Sequence, residues 1–452
     1  MDRLLFEKGA AESSAPPEIV AGKPRLRVPQ RDQVELQCSA LDELLEPDHR
    51  ARLVWAAVSG LPLAGWLSEI RAVEGHVGRD ATDPRLLVAL WVYATLDAVS
   101  SARELARLCE TQAAYRWLCG GVSVNYHLLA DFRSRGGARW DELLTQLVAV
   151  LLAEGLVTMQ CVAQDGMRVR ASAGKASYRR AGRLEQCLEQ ARAQVQTLKQ
   201  LAEESPEELN LRRRAARERA AAERQARLEE ALRQCEQAQA QQQAAAKKSG
   251  RTPREARAST TDPEARVMQF SDGGYRPGYN VQFCTDTVSG IIVGVDATPA
   301  GTDFEQLPPM LRQLRDRYGS VPEQALVDGG FAACHSIELA AAAGCAVYAP
   351  LKEEQKQLAQ DKDPYAKKAG DGVGVAAWRA RMGTAAAKQI YRLRCQTAEW
   401  ANALARNRDL RQMPVRGAAK CRTVATLYAI AHHVLQACRL QTLAGETAGG
   451  GS

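Results

Sequence analysis

Apolar residues recur through the first third of the chain at helical spacing. Leu53, Val54, Ala57 and Val58 share one face, as do Trp140, Leu143, Leu144, Leu147, Val148 and Leu151, the three-and-four repeat of amphipathic helices. Thr82-Asp83-Pro84 reads as a helix start. Asp83 caps it, and Pro84 falls in the first turn, where its missing N–H is not needed. Ser101 and Glu104 form a capping box for a further helix. Residues 111–118 and 126–132 continue the pattern, and Gly155 closes it. The spacing predicts an all-helical region of six or seven short helices over 41–156. The prolines at 16, 17, 24 and 29 mark residues 1–40 as an extended arm.

The period changes at Val157. Residues 157–164 read as a buried strand that ends at Asp165-Gly166. Leu184, Leu188, Ala191, Val195 and Leu198 then set a heptad seam, answered by Leu228, Ala231, Cys235 and Ala238. Ser205-Pro206-Glu207-Glu208 reads as the turn and capping box between them. Residues 179–260 are thus expected to be an antiparallel helical hairpin followed by a basic loop from Lys247 to Ser259. From Glu207 to Glu236 eight Arg face seven Glu, so the arm has little net pull on an anion and reads as a solvated spacer or dimer strut rather than the alternative, a DNA or partner arm.

Strand signals return at Tyr279–Asp286 and Ile291–Asp296, joined by a tight turn. Leu307–Tyr318 reads as a helix and Gln324–Val327 as a strand that again ends in an acid, Asp328-Gly329-Gly330. A helix over 336–343, a strand over 345–350, a long helix over 384–411 and a last helix over 423–440 complete the pattern. Residues 157–178 with 261–445 therefore make one α/β domain, a mixed and helix-rich sheet structure. The Gly-rich end, 446–452, reads as a disordered tail.

Composition narrows the class. The chain has 452 residues, 46% apolar and 25% charged, which is ordinary globular usage. No run of 18 apolar residues occurs, so no membrane-spanning helix is expected. The start lacks an apolar signal core, and a cytoplasmic location is expected. Twelve Cys form no CxxC pair, which argues against a structural zinc site.

Two acids at strand ends, Asp165 and Asp328, are candidates for one cleft, because side chains meet at the carboxyl ends of strands. Each Gly after them gives the backbone room. Clustered carboxylates repel unless a cation joins them, and hard oxygen ligands suit Mg²⁺ or Mn²⁺. A third acid, Glu399, stands in a basic stretch. From Trp378 to Arg422, eleven Lys/Arg face only Glu399 and Asp409. A helix lying along a phosphate backbone has this character. Arg392, Arg394, Arg406, Arg408 and Arg411 are expected to share a DNA-facing side of one continuous helix.

These residues resemble a known family, the DDE transposases of insertion sequences, over about residues 40–440. The resemblance rests on Asp83-Pro84-Arg85, Ser101–Glu104, Ala114–Leu118 and Phe132-Arg133 in the helical region. In the remainder it rests on Asp165-Gly166, Thr261–Arg266, Gly278–Gln282, Asp328–Phe331, and Tyr391-x-x-Arg394 with Glu399 and Arg406. It implies an RNase H-like core in which Asp165, Asp328 and Glu399 bind two Mg²⁺ (or Mn²⁺) ions. It also implies that Tyr391, Arg394 and Arg406 contact DNA near the cut phosphate. The implied activity is cleavage of element ends and transfer of the 3′-OH strand to target DNA. The implied partners are double-stranded terminal inverted repeats, target DNA and a second copy of the chain. The chain departs from the family where Arg406 replaces a frequent Lys, where Phe331 replaces Tyr, and where Trp400 and Asn402 replace Pro and an aromatic. Two rival readings remain open: a domesticated or decayed DNA-binding regulator, and a coiled-coil scaffold.

Overall fold

The computed structural model describes residues 38–68, 70–73, 75–76, 80–204, 211–250 and 252–449. The expected arm over 1–40 lies almost entirely outside the described residues, as do the Ser205–Glu208 turn and residues 450–452.

After a 3-10 turn at Leu41–Leu44, seven α-helices follow among the described residues: α1 (Arg50–Ser59), α2 (Ala64–Leu67), α3 (Pro84–Leu96), α4 (Ala102–Thr111), α5 (Ala113–Cys119), α6 (Tyr126–Arg135) and α7 (Gly137–Ala153). The Asp83 carboxylate accepts the Arg85 N–H at 2.8 Å, with Pro84 in the first turn. Ser101 caps α4, but Glu104 turns outward to Arg107 and leaves the reciprocal half of the box unmade. Nearly every residue of α3 is buried, as expected of a helix apolar on all sides.

Strand β1 (Cys161–Arg170) starts the sheet. The short strand β2 (Tyr178–Arg179) leads into α8 (Ala181–Glu204) and α9 (Leu211–Ser249), and β3 (Ala258–Ser259) returns to pair antiparallel with β2. The arm is thus clamped at its base. Its core is the expected seam: Leu184, Leu188 and Ala191 pack on Leu228, Ala231 and Cys235. Arg192 meets Glu229 and Gln194 meets Arg224, so the helices are antiparallel. The expected basic loop is shorter than the sequence implied, because α9 runs on to Ser249.

The remaining elements are β4 (Arg266–Gln269), β5 (Tyr275–Asp286), β6 (Ile292–Thr298), α10 (Leu307–Tyr318), β7 (Gln324–Leu326), α11 (Cys334–Ala342), β8 (Ala346–Tyr348), α12 (Glu354–Ala359), α13 (Val373–Met382), α14 (Ala385–Arg394), α15 (Trp400–Asn407) and α16 (Ala418–Gly449). The sheet runs β5-β1-β7-β8, with both β6 and β4 on the far side of β5. β5 is antiparallel to β1 and β6, while β7 and β8 run parallel to β1. This is the mixed sheet of an RNase H-like core. Helix α16 reaches Gly449, well past the expected end at Leu440. It packs on α3 and α7 and also on β5 and β6, so it joins the helical region to the sheet.

Two expectations need correction. Asp165 does not end its strand, since β1 continues to Arg170 beside β5. Its parallel partner stops earlier, however. β7 pairs only as far as Ala163 with Leu326. Two residues further along each strand stand Asp165 and Asp328, where that side of the sheet opens. The long helix over 384–411 is also not continuous. A π-turn over Cys395–Glu399 separates α14 from α15, and the helix ends at Asn407.

Candidate active site

Asp165 lies mid-strand with its side chain on the face shared by Met167. In register beside it stands Phe283 of β5, which borders a small cavity with Ala401, Leu404 and Ala405 of α15. The carboxylate is 17% exposed. Its Oδ1 meets Nη2 of Arg394 at 3.1 Å, and its Oδ2 accepts Nδ2 of Asn402 at 2.9 Å. Burial pushes its pKa up; Arg394 opposes that rise and Asp328 adds to it.

Asp328 follows β7. Its Oδ1 accepts the Gly330 N–H at 2.7 Å, so the acid caps its own turn. A Cβ at Gly330 would come 2.9 Å from that oxygen. This is the crowding that glycine avoids. Gly166 is different. It sits in a strand, not a turn, and a Cβ there would stand 1.9 Å from Asp303, 2.4 Å from Gln282 and 2.7 Å from Asn280. The side chain is missing because a polar cluster fills its place.

Glu399 is at the end of the π-turn. In an α-helix, five residues make about 1.4 turns and would aim Arg394 and Glu399 apart. The wider π-turn brings position i+5 back onto the same side, and Arg394 Nη1 meets Glu399 Oε1 at 3.3 Å. Arg394 is 11% exposed. Burial acts to lower its pKa, but Asp165, Tyr391, Asp328 and Glu399 together raise it. One guanidinium thus feels all three candidate acids. Tyr391 is half-buried beside it, and burial pushes its phenol pKa up.

The other expected cations divide. Arg392, Arg406 and Arg411 are exposed. Arg408 is not on their side: it is half-buried, and burial together with Arg50 depresses its pKa. The π-turn also breaks the expected phase match of Arg394 with Arg406. Three further cations of the basic stretch are already paired: Arg379 with Asp371, Lys388 with Glu354 and Arg422 with Asp141. Glu338 is occupied too, accepting the Gly374 and Val375 N–H groups at the start of α13.

Sequence reasoning missed two things here. It noted Asn402 only as a departure from a pattern, not as a partner of Asp165. It also missed Asp303, whose Oδ1 accepts Asn280 at 2.8 Å and Gln282 at 2.7 Å. A signal existed: Asn280 and Gln282 alternate with Tyr279, Val281 and Phe283 in the part of β5 that is buried from Pro277 to Asp286. Two polar side chains on one face of such a strand require partners.

Two family models match the chain: a transposase domain (DUF772) over residues 39–135 and a transposase DDE domain over residues 245–402. The chain belongs to the DDE transposases of insertion sequences. No curated protein and no solved structure matches it. The DDE match begins inside α9 and so leaves out β1 and Asp165. The transposase carries its helical arm between its first strand and the rest of the matched domain. Among the described residues no helix is long and apolar enough to cross a membrane. Nor do three acids, His or Cys stand grouped as a ready metal site.

Proposed function

We propose that this transposase cuts the ends of its element and joins the freed 3′-OH to target DNA, with Asp165, Asp328 and Glu399 as the catalytic acids. The observation that carries this reading is Arg394, which meets Asp165 at 3.1 Å and Glu399 at 3.3 Å, with Asp328 near enough to help raise its pKa. Carboxylates that face one cation offer the hard oxygen donors that divalent ions take. Two orphaned atoms fit the same picture: Arg394 Nε and Asn402 Oδ1 are buried without a partner, so the site has bonding capacity left for a ligand. Mg²⁺ or Mn²⁺ held there would lower the pKa of the attacking water or 3′-hydroxyl and stabilise the leaving oxygen. The chain's own residues bind and orient. Asp165 and Asp328 present oxygens from adjacent strands, and Glu399 approaches from the π-turn. Arg394 and Tyr391 line the approach of the scissile phosphate. Exposed Arg392, Arg406 and Arg411 hold the flanking backbone through charge. We assign 41–156 to DNA binding and assembly, 157–178 with 261–445 to catalysis, and expect a homodimer on terminal-repeat DNA.

The test is nicking of a duplex that carries the inverted repeats flanking the gene. The parent protein should cut in Mg²⁺ or Mn²⁺ and not in chelator. Asp165→Asn, Asp328→Asn and Glu399→Gln should bind the duplex and leave it intact. Cutting by Glu399→Gln near the parent rate would remove Glu399 from the site. Binding by the parent without any nicking would leave the chain a DNA-binding relative, a reading to which the departure at Asn402 lends weight.

A further inference from the structure

Asp165 has two oxygens, and they are held by donors of unlike kind. Asn402 Nδ2 holds Oδ2 at 2.9 Å. It is a short neutral side chain, 2% exposed, on a helix whose Ala401 and Ala405 are buried. Its backbone is fixed by that packing, and its reach is too short to find another partner. Arg394 Nη2 holds Oδ1 at 3.1 Å. It is a long charged side chain at the junction of α14 and the π-turn. It shares itself with Glu399, which is 55% exposed, and its Nε has no partner. One contact is rigid and uncharged. The other is long and cationic, and each side chain keeps one buried atom without a partner, Arg394 Nε and Asn402 Oδ1.

We propose that these contacts have opposite duties: Asn402 is a positioning residue that fixes the Asp165 carboxylate through Oδ2, and Arg394 is a resident cation on Oδ1 that a divalent ion has to displace. The inference rests on the reading of Asp165, Asp328 and Glu399 as ligands of such an ion. A guanidinium and a dication cannot share Oδ1, because like charges at contact distance repel. The neutral amide has no such conflict and can stay. Outer hydrogen-bond partners of this kind orient ligands, and their loss weakens metal affinity by about 10–100-fold. A displaced Arg394 keeps its charge and its spare donors, which suit a phosphate oxygen. Any phosphodiester that takes up Arg394 therefore eases cation entry, and by linkage the cation eases phosphate binding. The device would keep the acids paired until DNA and metal arrive together.

The two duties give opposite signs in one experiment. Ca²⁺ is titrated calorimetrically into the full-length chain without DNA, and melts are recorded in chelator and in Ca²⁺. Asn402→Ala should weaken Ca²⁺ binding by about 10-fold or more, with Asn402→Ser, which keeps a shorter donor, falling between it and the parent. Arg394→Gln should tighten Ca²⁺ binding by about 5-fold or more. It should also lower Tm in chelator, where it leaves carboxylates unpaired, and raise the gain in Tm that Ca²⁺ gives. Asp328→Asn should abolish binding. Unchanged affinity in Asn402→Ala, or affinity no tighter in Arg394→Gln, would overturn the inference alone. A parent protein that binds no Ca²⁺ would overturn the metal reading beneath it.

Discussion

The arm and the helix pair α14–α15 are both built from Arg- and Glu-bearing helices, and they behave in opposite ways. In the arm several cations pair with acids of the arm itself. Arg192 pairs with Glu229, Arg214 with Glu218, and Arg233 with Glu230. Its apolar seam is regular through Leu184, Leu188 and Ala191 against Leu228, Ala231 and Cys235, and its small core is separate from the main one. In α14–α15 the regular period is broken once, by a π-turn, and the break puts Arg394 between two carboxylates. Balanced, periodic sequence yields a strut. A single irregular turn among unbalanced charges yields the cluster proposed above as the site, in keeping with the frequency of π-turns at functional positions.

The sharpest way to break this comparison is to remove the acid at the irregular turn. Glu399→Gln should lower cleavage by about 10³-fold or more, since metal-borne charge stabilisation is worth several kcal/mol. The melting temperature should hardly move, because Glu399 is mostly exposed. The paired measurements are single-turnover nicking and a thermal melt. A comparable loss from Arg192→Ala in the arm would show that the two regions are not functionally distinct.

Next in size is a core substitution in the arm. Leu188 is buried in the seam. Leu188→Ala should cost about 2–5 kcal/mol, felt within the arm as faster proteolysis between 211 and 249. Ca²⁺ binding at the main site should stay at the parent value. A coupled loss would mean that the clamp of β2 on β3 transmits strain to the sheet.

How much of this was legible follows the same divide. The seam residues of the arm, the Asp83 cap and Leu307–Tyr318 could be read from spacing alone, because local periodicity determines them. Asp165 and Asp328 could be found as acids after apolar runs. That Asp165 lies mid-strand could not, since its opening to the cleft depends on where β7 stops pairing. The π-turn was invisible for a related reason. Nothing in Cys395-Gln396-Thr397-Ala398-Glu399 opposes an α-helix, and the extra residue is accommodated only because α14 and α15 are anchored separately. Asn402 and Asp303 needed the three-dimensional register to show their partners.

Acid should separate the regions again, with a smaller effect. On α16, His432 contacts the Gly290 carbonyl and His433 Nε2 accepts the Ile292 N–H. Burial pushes their pKa values down to about 4 and about 3. The folded chain therefore binds fewer protons than the unfolded chain between those values and about 6.5, the ordinary histidine value. Stability is full above about 6.5 and falls as the pH drops towards 4. His433→Gln should flatten part of that fall, by about 1–3 kcal/mol at pH 4.5. Urea titrations from pH 7 to 4.5 would show it. The arm has no histidine, and its helicity should not follow this course. Parallel acid loss in a His433→Gln protein would assign the effect to other groups.

The smallest expected effect tests the charges themselves. Arg392 and Arg406 are exposed, and among the described residues neither has an ion-pair partner within 4 Å, unlike the arm arginines above. An unpaired arginine that meets a phosphate releases about one counterion, so each contributes about 0.9 to the slope of log K against log salt. A paired one must first give up its acid and yields less. Arg392→Ala and Arg406→Ala should therefore each flatten the slope by about one unit, and the double variant by about two. Arg192→Ala should leave it unchanged. Arg408→Ala should also leave it near the parent value, because that side chain is half-buried against Tyr428 rather than turned outward. If Arg192→Ala flattened the slope as much as Arg406→Ala, the balanced arm would be a DNA-binding surface after all. The contrast between strut and site would then have to be drawn from the carboxylates alone.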